Sequence, residues 1–275
     1  MPGSKAPTYI LLHIALNAHT MKPRSPSLLP RLFALVMAAG LSLAAHAADL
    51  TVSAAASLTN AFKDLAPLFE AANPGTKLQF NFAASGLLLQ QIANGAPVDV
   101  FVSADQETMD KAQSQGFVQA AQRRNFVSNT LVVIVPATSP TAPAGLKDLT
   151  QAAFQRVAIG LPASVPVGRY TQGVLEAAGL WTAIEPKMIG AQSVRQALDY
   201  VARGEVDAGF VYSTDAALMP DKIKVAFTVP TIKPILYPAA PIAASPNGAV
   251  AQRFVEFLTA PPARAVLAKY GFGKP

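Results

Sequence analysis

The sequence predicts an α/β protein of two lobes with mostly parallel sheets, and three observations carry that prediction. Short apolar runs rich in Val and bounded by breakers, at residues 50–55, 98–102, 131–135, 157–160 and 208–212, read as buried strands. Helical patterns alternate with them, which is the arrangement that lays helices over both faces of a parallel sheet. The length left after an N-terminal leader, about 228 residues, suits two lobes of about 110 better than one large sheet. With 51% hydrophobic and 14% charged residues, the chain has ample material for a core.

The leader is residues 1–47. From Met21, the stretch MKPRSPSLLPRLFALVMAAGLSLAAHAAD carries Lys22, Arg24 and Arg31, then an apolar run over 32–45, then small residues at Ala45-His46-Ala47. That is the pattern of a secretory signal peptide cleaved after Ala47. The apolar run is about 14 residues, short of the roughly 20 that a membrane-spanning helix needs. Residues 1–20 read as an upstream extension, with Met21 competing with Met1 as the start.

Cleavage would remove Lys5, Lys22, Arg24 and Arg31 and no acid, so the formal charge falls from +6 to +2. The basic balance is therefore mostly a leader effect, and a nucleic-acid partner loses its main support. His13, His19 and His46 also leave, and the chain has no Cys. A protein without either residue type has no disulfide, no imidazole or thiolate metal site, no Cys nucleophile and no Ser-His-Asp triad. It also lacks a lipid-modified cysteine, so the exported protein is expected to be free and soluble. No serine has a lysine three residues on, as a Ser-Lys hydrolase would require.

Each helix is legible by its spacing and its stop. Leu58, Phe62, Leu65 and Phe69 form one stripe, ended by Asn73-Pro74-Gly75. Further helices are expected over 86–94, 168–178 and 194–203, each stopped by glycine at Gly95, Gly179 and Gly204. Linkers between the lobes are expected at 123–130 and 212–216. The first lobe would then hold residues 48–127 and 214–275, with 128–213 inserted as the second.

In parallel α/β sheets, ligands collect where strands end and helices begin. Four helix starts here share a chemistry: Ser57-Leu58-Thr59, Ser85-Gly86-Leu87, Pro166-Val167-Gly168 and Ser193-Val194-Arg195. Each offers main-chain N–H groups without an intrahelical partner, and the helix dipole adds about half a positive charge there. Serine adds a hydroxyl donor, Gly86 and Gly168 would let a ligand approach the backbone, and Pro166 stiffens its helix start. Converging on one point, such ends would hold a small anion without a counter-charge.

Each residue also has a purely structural reading. A serine at a helix start can simply cap its own helix. Tyr212, Trp181 and Phe210 can be packing aromatics. Arg123, Arg124 and Arg169 read as solvated or ion-paired, and Asp99 and Asp105 as turn or cap residues.

In order along the chain, TVSAAASLTNAF, FAASG, QQIANGAPVDVFVSADQ, NTLVVIVP, VPVGRY, SVRQAL, GFVYSTDA and the terminal KYGF resemble the periplasmic molybdate-binding proteins of ABC importers. The resemblance implies a type II periplasmic-binding-protein fold, two α/β lobes joined by two hinge crossings that close over one tetrahedral oxyanion, molybdate or tungstate. It implies ligand contacts from Ser57 and Ser85 through hydroxyl and amide, from Val167 and Val194 through their amides, and from Tyr212 through its hydroxyl. Ala84 stands where many relatives have serine, and Val167 where they often have alanine; both changes keep the backbone donors and trim the pocket.

The resemblance further implies no cofactor and no catalysis, molybdenum present only within the oxyanion, and a membrane permease and ATPase as partners. It implies a periplasmic monomer with no nucleic-acid partner. The competing readings are a sulfate or other oxyanion receptor of the same fold, an exported serine hydrolase using Ser85, and the effector-sensing module of a transcription regulator.

Overall fold

A computed structural model describes residues 48–275; the expected leader, its cleavage point after Ala47 and both candidate starts lie outside the described residues. β1 (Ala48–Ala55) passes through a 3-10 turn (Ala56–Leu58) into α1 (Thr59–Ala72). β2 (Thr76–Ala83) leads to α2 (Ser85–Ala93), and β3 (Val100–Val102) to α3 (Gln106–Ser114). β4 (Arg124–Asn129) is followed by β5 (Leu131–Pro136), β6 (Val157–Gly160), α4 (Pro166–Ala177), α5 (Trp181–Ile184), β7 (Met188–Ala191) and α6 (Val194–Ala202). β8 (Ala208–Tyr212), α7 (Ser213–Ala216), β9 (Ile223–Val229), β10 (Ile235–Pro241), α8 (Gly248–Phe257) and α9 (Pro261–Lys269) complete the chain.

The strands form two five-stranded sheets, in the orders β2-β1-β3-β10-β4 and β7-β6-β8-β5-β9. In the first, β1 is parallel to β2 and β3, and in the second, β6 is parallel to β7 and β8. The strands that cross between lobes run the other way: β10 is antiparallel to β3 and β4, and β5 to β8 and β9. Both sheets are thus mixed, because a chain that leaves a lobe and returns must lay its crossing strands against the parallel ones.

The sheets correct the expected lobe boundaries. β4 is complete before the first crossing, which falls at Thr130 and not at residue 127. The second crossing lies over 230–234, since β9 still pairs with β5 (Val133 opposite Phe227), so 214–229 stay with the second lobe. Residues 212–216, expected as a linker, are the end of β8 and α7.

The stripe that runs from the 3-10 turn into α1 packs as its spacing requires: Leu58, Phe62 and Leu65 are fully buried and Phe69 nearly so. Phe69 meets Phe254 of α8 edge to face at 5.1 Å, and Phe62 meets the same ring at 6.0 Å. Burying each such side chain is worth roughly 1.5–3 kcal/mol, which anchors the helix start that follows β1. α1 then stops at Asn73, and Gly75 takes the left-handed turn (φ 85°) into β2. A second core of Leu88, Ile92, Phe101 and Met109 holds α2 and α3 on the first sheet.

Candidate functional site

A small cavity is formed where the 3-10 turn after β1 and the starts of α2, α4 and α6 meet the end of β8. Ser57, Ser85, Val167, Val194 and Tyr212 all line it, beside small apolar groups such as Ala55, Ala84 and Ala104. All five are buried, with Ser85 fully so. The structure therefore brings together the five residues singled out in the sequence, two from the first lobe and three from the second.

Ser85 and Val194 are the first residues of their helices and Val167 the second, so their N–H groups precede the first intrahelical acceptor. Pro166 opens α4 as expected. Ser193 is the plain case, an N-cap whose hydroxyl accepts from the Gln196 N–H at 3.2 Å. Ser57 and Ser85 do not cap. The Ser85 hydroxyl oxygen accepts from the Ala104 N–H at 3.0 Å, and the Ser57 oxygen lies 2.9 Å from the Tyr237 hydroxyl. Tyr212 is more than packing: its hydroxyl is buried and finds no hydrogen-bond partner among the described residues.

The two glycines act differently from the expectation. A Cβ on Gly86 would lie 2.6 Å from the Ser164 carbonyl oxygen, and one on Gly168 would lie 1.8 Å from that of Gly160. Both close approaches are to protein backbone, not to ligand space. Gly168 seats α4 on the end of β6. Gly86 lets the lobes touch, and its N–H donates to Ser164 at 3.0 Å across the cleft.

Behind the lining stand contacts between the lobes that sequence reading did not reach. Asn129, at the first crossing, donates through Nδ2 to the Tyr237 hydroxyl (3.1 Å) and to Thr214 Oγ1 (2.9 Å). Its Oδ1 accepts from the Thr130 N–H at 2.9 Å and from the Ser213 hydroxyl at 3.2 Å. Arg195 ion-pairs with Asp215 and donates to the Ser57 carbonyl (3.1 Å) and Asn60 Oδ1 (2.9 Å). Arg169 donates to Asp105 Oδ2 (2.6 and 2.8 Å) and to Thr108 Oγ1 (2.6 Å), again across the lobes. Asp105 meanwhile caps α3 by accepting from the Thr108 N–H. Only a signal linking residues far apart in sequence could have found these contacts; Ser57 and Tyr237 are 180 positions apart.

The electrostatics follow from burial. Asp215 has no exposed surface and one oxygen without a partner, so burial pushes its carboxyl up to about 6, against the pull of Arg195. Burial likewise raises the Tyr212 and Tyr237 hydroxyls well above the usual tyrosine range, so both keep their protons. The cavity thus presents neutral donors, with both nearby arginines engaged by aspartates. Such a lining suits a small, fully ionised oxyanion, and the unpartnered Tyr212 hydroxyl fits the same guest. Among the described residues, no group of three His, Cys, Asp or Glu gathers as a metal site would need.

The family model described as bacterial extracellular solute-binding protein matches residues 50–273. The chain is 37% identical over 229 residues to the molybdate-binding protein ModA of Escherichia coli (strain K12), covering 81% of this chain and 88% of the relative. Among solved structures, the periplasmic molybdate-binding protein of Azotobacter vinelandii superposes with a TM-score of 0.72 at 27% identity, covering 82% of this chain and 99% of that one. The sulfate-binding protein SubI of Mycobacterium tuberculosis H37Rv gives 0.71 at 20% identity, with 82% and 86% covered, a likeness of fold alone.

Proposed function

The chain belongs to the bacterial extracellular solute-binding protein family, and from that premise we propose that it captures molybdate or tungstate in the periplasm and delivers it to an ABC importer. The observation that carries this reading is the cavity itself, where Ser57, Ser85, Val167, Val194 and Tyr212 converge without a charged residue among the lining groups. Export with cleavage after Ala47 supplies the location, and a membrane permease with its ATPase supplies the partners.

About seven neutral donors surround the dianion: hydroxyl and amide of Ser57 and Ser85, the amides of Val167 and Val194, and the Tyr212 hydroxyl. Each hydrogen bond to a charged group is worth roughly 1.5–3 kcal/mol, most of it offset by the ligand's lost hydration. Net affinity therefore rests on donors held in place beforehand by rigid helix starts. Sulfate, being smaller, leaves donors short of contact. Hydrogen phosphate brings a proton that a ring of donors leaves unpaired.

Binding closes the two lobes about crossings at Thr130 and 230–234, and the closed form is the one the transporter engages. In this reading the protein works as a transport receptor and not as an enzyme, which its membership of a solute-binding family supports. One chain supplies the whole site, which supports a monomer.

The test is a thermal melt of the purified protein with molybdate, tungstate, sulfate and phosphate in turn. A ligand at 100 times its Kd adds about 2.7 kcal/mol of stability. Molybdate and tungstate alone should raise the melting temperature, and Ser57→Ala with Ser85→Ala should abolish the rise. An equal shift with sulfate would make the site a general oxyanion receptor, and no shift with any of the four would defeat the reading.

A further inference from the structure

We propose that Asn129 and Tyr237 are positioning residues that aim the Tyr237 proton at the Ser57 hydroxyl oxygen, so that Ser57 keeps its own proton for the cavity and has one of its two lone pairs already engaged. The proposal deepens the oxyanion reading and rests on it, because it names residues that enforce selectivity for unprotonated anions.

Protons can be counted along one chain of contacts. A main-chain N–H can only donate, and that of Thr130 points at Asn129 Oδ1 from 2.9 Å. This settles which end of the Asn129 amide is oxygen. The other end, Nδ2, must then be the donor to the Tyr237 hydroxyl at 3.1 Å. Tyr237 has one proton of its own, is fully buried, and has Ser57 Oγ 2.9 Å away. With its oxygen already accepting from Asn129, that proton goes to Ser57 Oγ. Ser57 in turn keeps a free proton, and the side chain lies on the cavity wall.

Ser85 reaches the same state by a shorter route, since the Ala104 N–H donates directly to its oxygen. Both serines are thus fed from behind by a main-chain donor, one directly and one through two side chains. A ligand oxygen that carries a proton needs an acceptor, and each serine has one of its two lone pairs already committed behind it while its proton stays free to donate.

The experiment measures molybdate and inorganic phosphate affinities at neutral pH by competition titration, in the wild type, Tyr237→Phe, Asn129→Asp and Thr214→Val. The Asn129→Asp carboxylate can only accept, so Tyr237 should turn its proton to it and Ser57 should donate to Tyr237, presenting a lone pair to the cavity. Molybdate should then weaken by about 100-fold, and the molybdate-to-phosphate affinity ratio should fall by at least roughly tenfold. Tyr237→Phe frees the same lone pair without adding charge, so its ratio should also fall while molybdate weakens by about tenfold. Thr214→Val removes the other acceptor on Asn129 Nδ2 and should leave the ratio unchanged.

An equal loss for both anions in Asn129→Asp would mean charge repulsion alone and would overturn the relay, as would an unchanged ratio in Tyr237→Phe. If Asn129→Asp does not fold, Tyr237→Phe decides. A wild type that binds molybdate while the variants keep its ratio sinks only the relay; a wild type that binds neither anion sinks the oxyanion reading first, and the relay with it.

Discussion

Arg195 and Ser57 meet across the cleft: the guanidinium of α6, in the second lobe, donates to the main-chain carbonyl of Ser57, in the first, at 3.1 Å. The same side chain holds Asn60 and is anchored by Asp215 in its own lobe. Val194, the neighbour of Arg195, lines the cavity opposite Ser57, so one arginine fixes the spacing of two ligand-facing groups.

Arg195→Ala should therefore act twice. Molybdate dissociation, followed by stopped-flow fluorescence, should speed up by about tenfold or more for the loss of charge-assisted bonds that exist only between the lobes. The ligand-free protein should lose about 3–5 kcal/mol in urea unfolding, because Asp215 is left buried and unpaired. A variant with wild-type dissociation would remove Arg195 from the closure.

Asp215 carries a pH signature. Its carboxyl is raised from 3.8 to about 6 by burial, so the folded state holds a proton that the unfolded chain has released. The stabilisation from this group is complete below pH 3.8 and is lost as pH rises through 6. Asp215→Asn has no such loss, so between pH 4 and 7 its stability relative to wild type should rise by on the order of 3 kcal/mol. Urea midpoints across that range check it; a flat or falling difference would contradict the burial argument.

Gly86 and Gly168 should separate closure from folding. Gly168→Ala drives a methyl into the Gly160 carbonyl and should destabilise the free protein by about 1–3 kcal/mol. Gly86→Ala clashes with Ser164 only when the lobes touch, so it should leave the ligand-free melt nearly unchanged while weakening molybdate by about tenfold or more. Calorimetric titration beside a melt of each variant distinguishes the two, and matching profiles would refute the separation.

What the sequence made legible was what local order encodes. The α1 stripe, the glycine stops and the four helix starts are periodicities and caps, and they led to the turns that hold Ser57, Ser85, Val167 and Val194, whereas Tyr212, at a strand end, was marked out only by the family resemblance. β9 escaped because IKVAFTV carries a lysine and a threonine beside its apolar residues and lacks the continuous run of β5. The lobe boundary was misplaced with it. The turn at Ser57 has no cation close in sequence, yet Arg195 reaches its carbonyl from 138 positions away. Tyr237 and Asn129 were missed for the same reason, since no spacing rule links a residue on β10 to a turn after β1.

The pairing of Arg169 with Asp105 and of Arg195 with Asp215 also bears on unloading. Both guanidiniums near the cavity already have anionic companions, so an incoming dianion finds no ion-exchange site there. Its retention depends on the exclusion of bulk water. Once the lobes part, water can replace every serine, tyrosine and amide contact on equal terms, and no residual Coulombic grip delays departure. The receptor can thus hold its cargo firmly when shut and surrender it when pried open, without having to neutralise a lysine or arginine first.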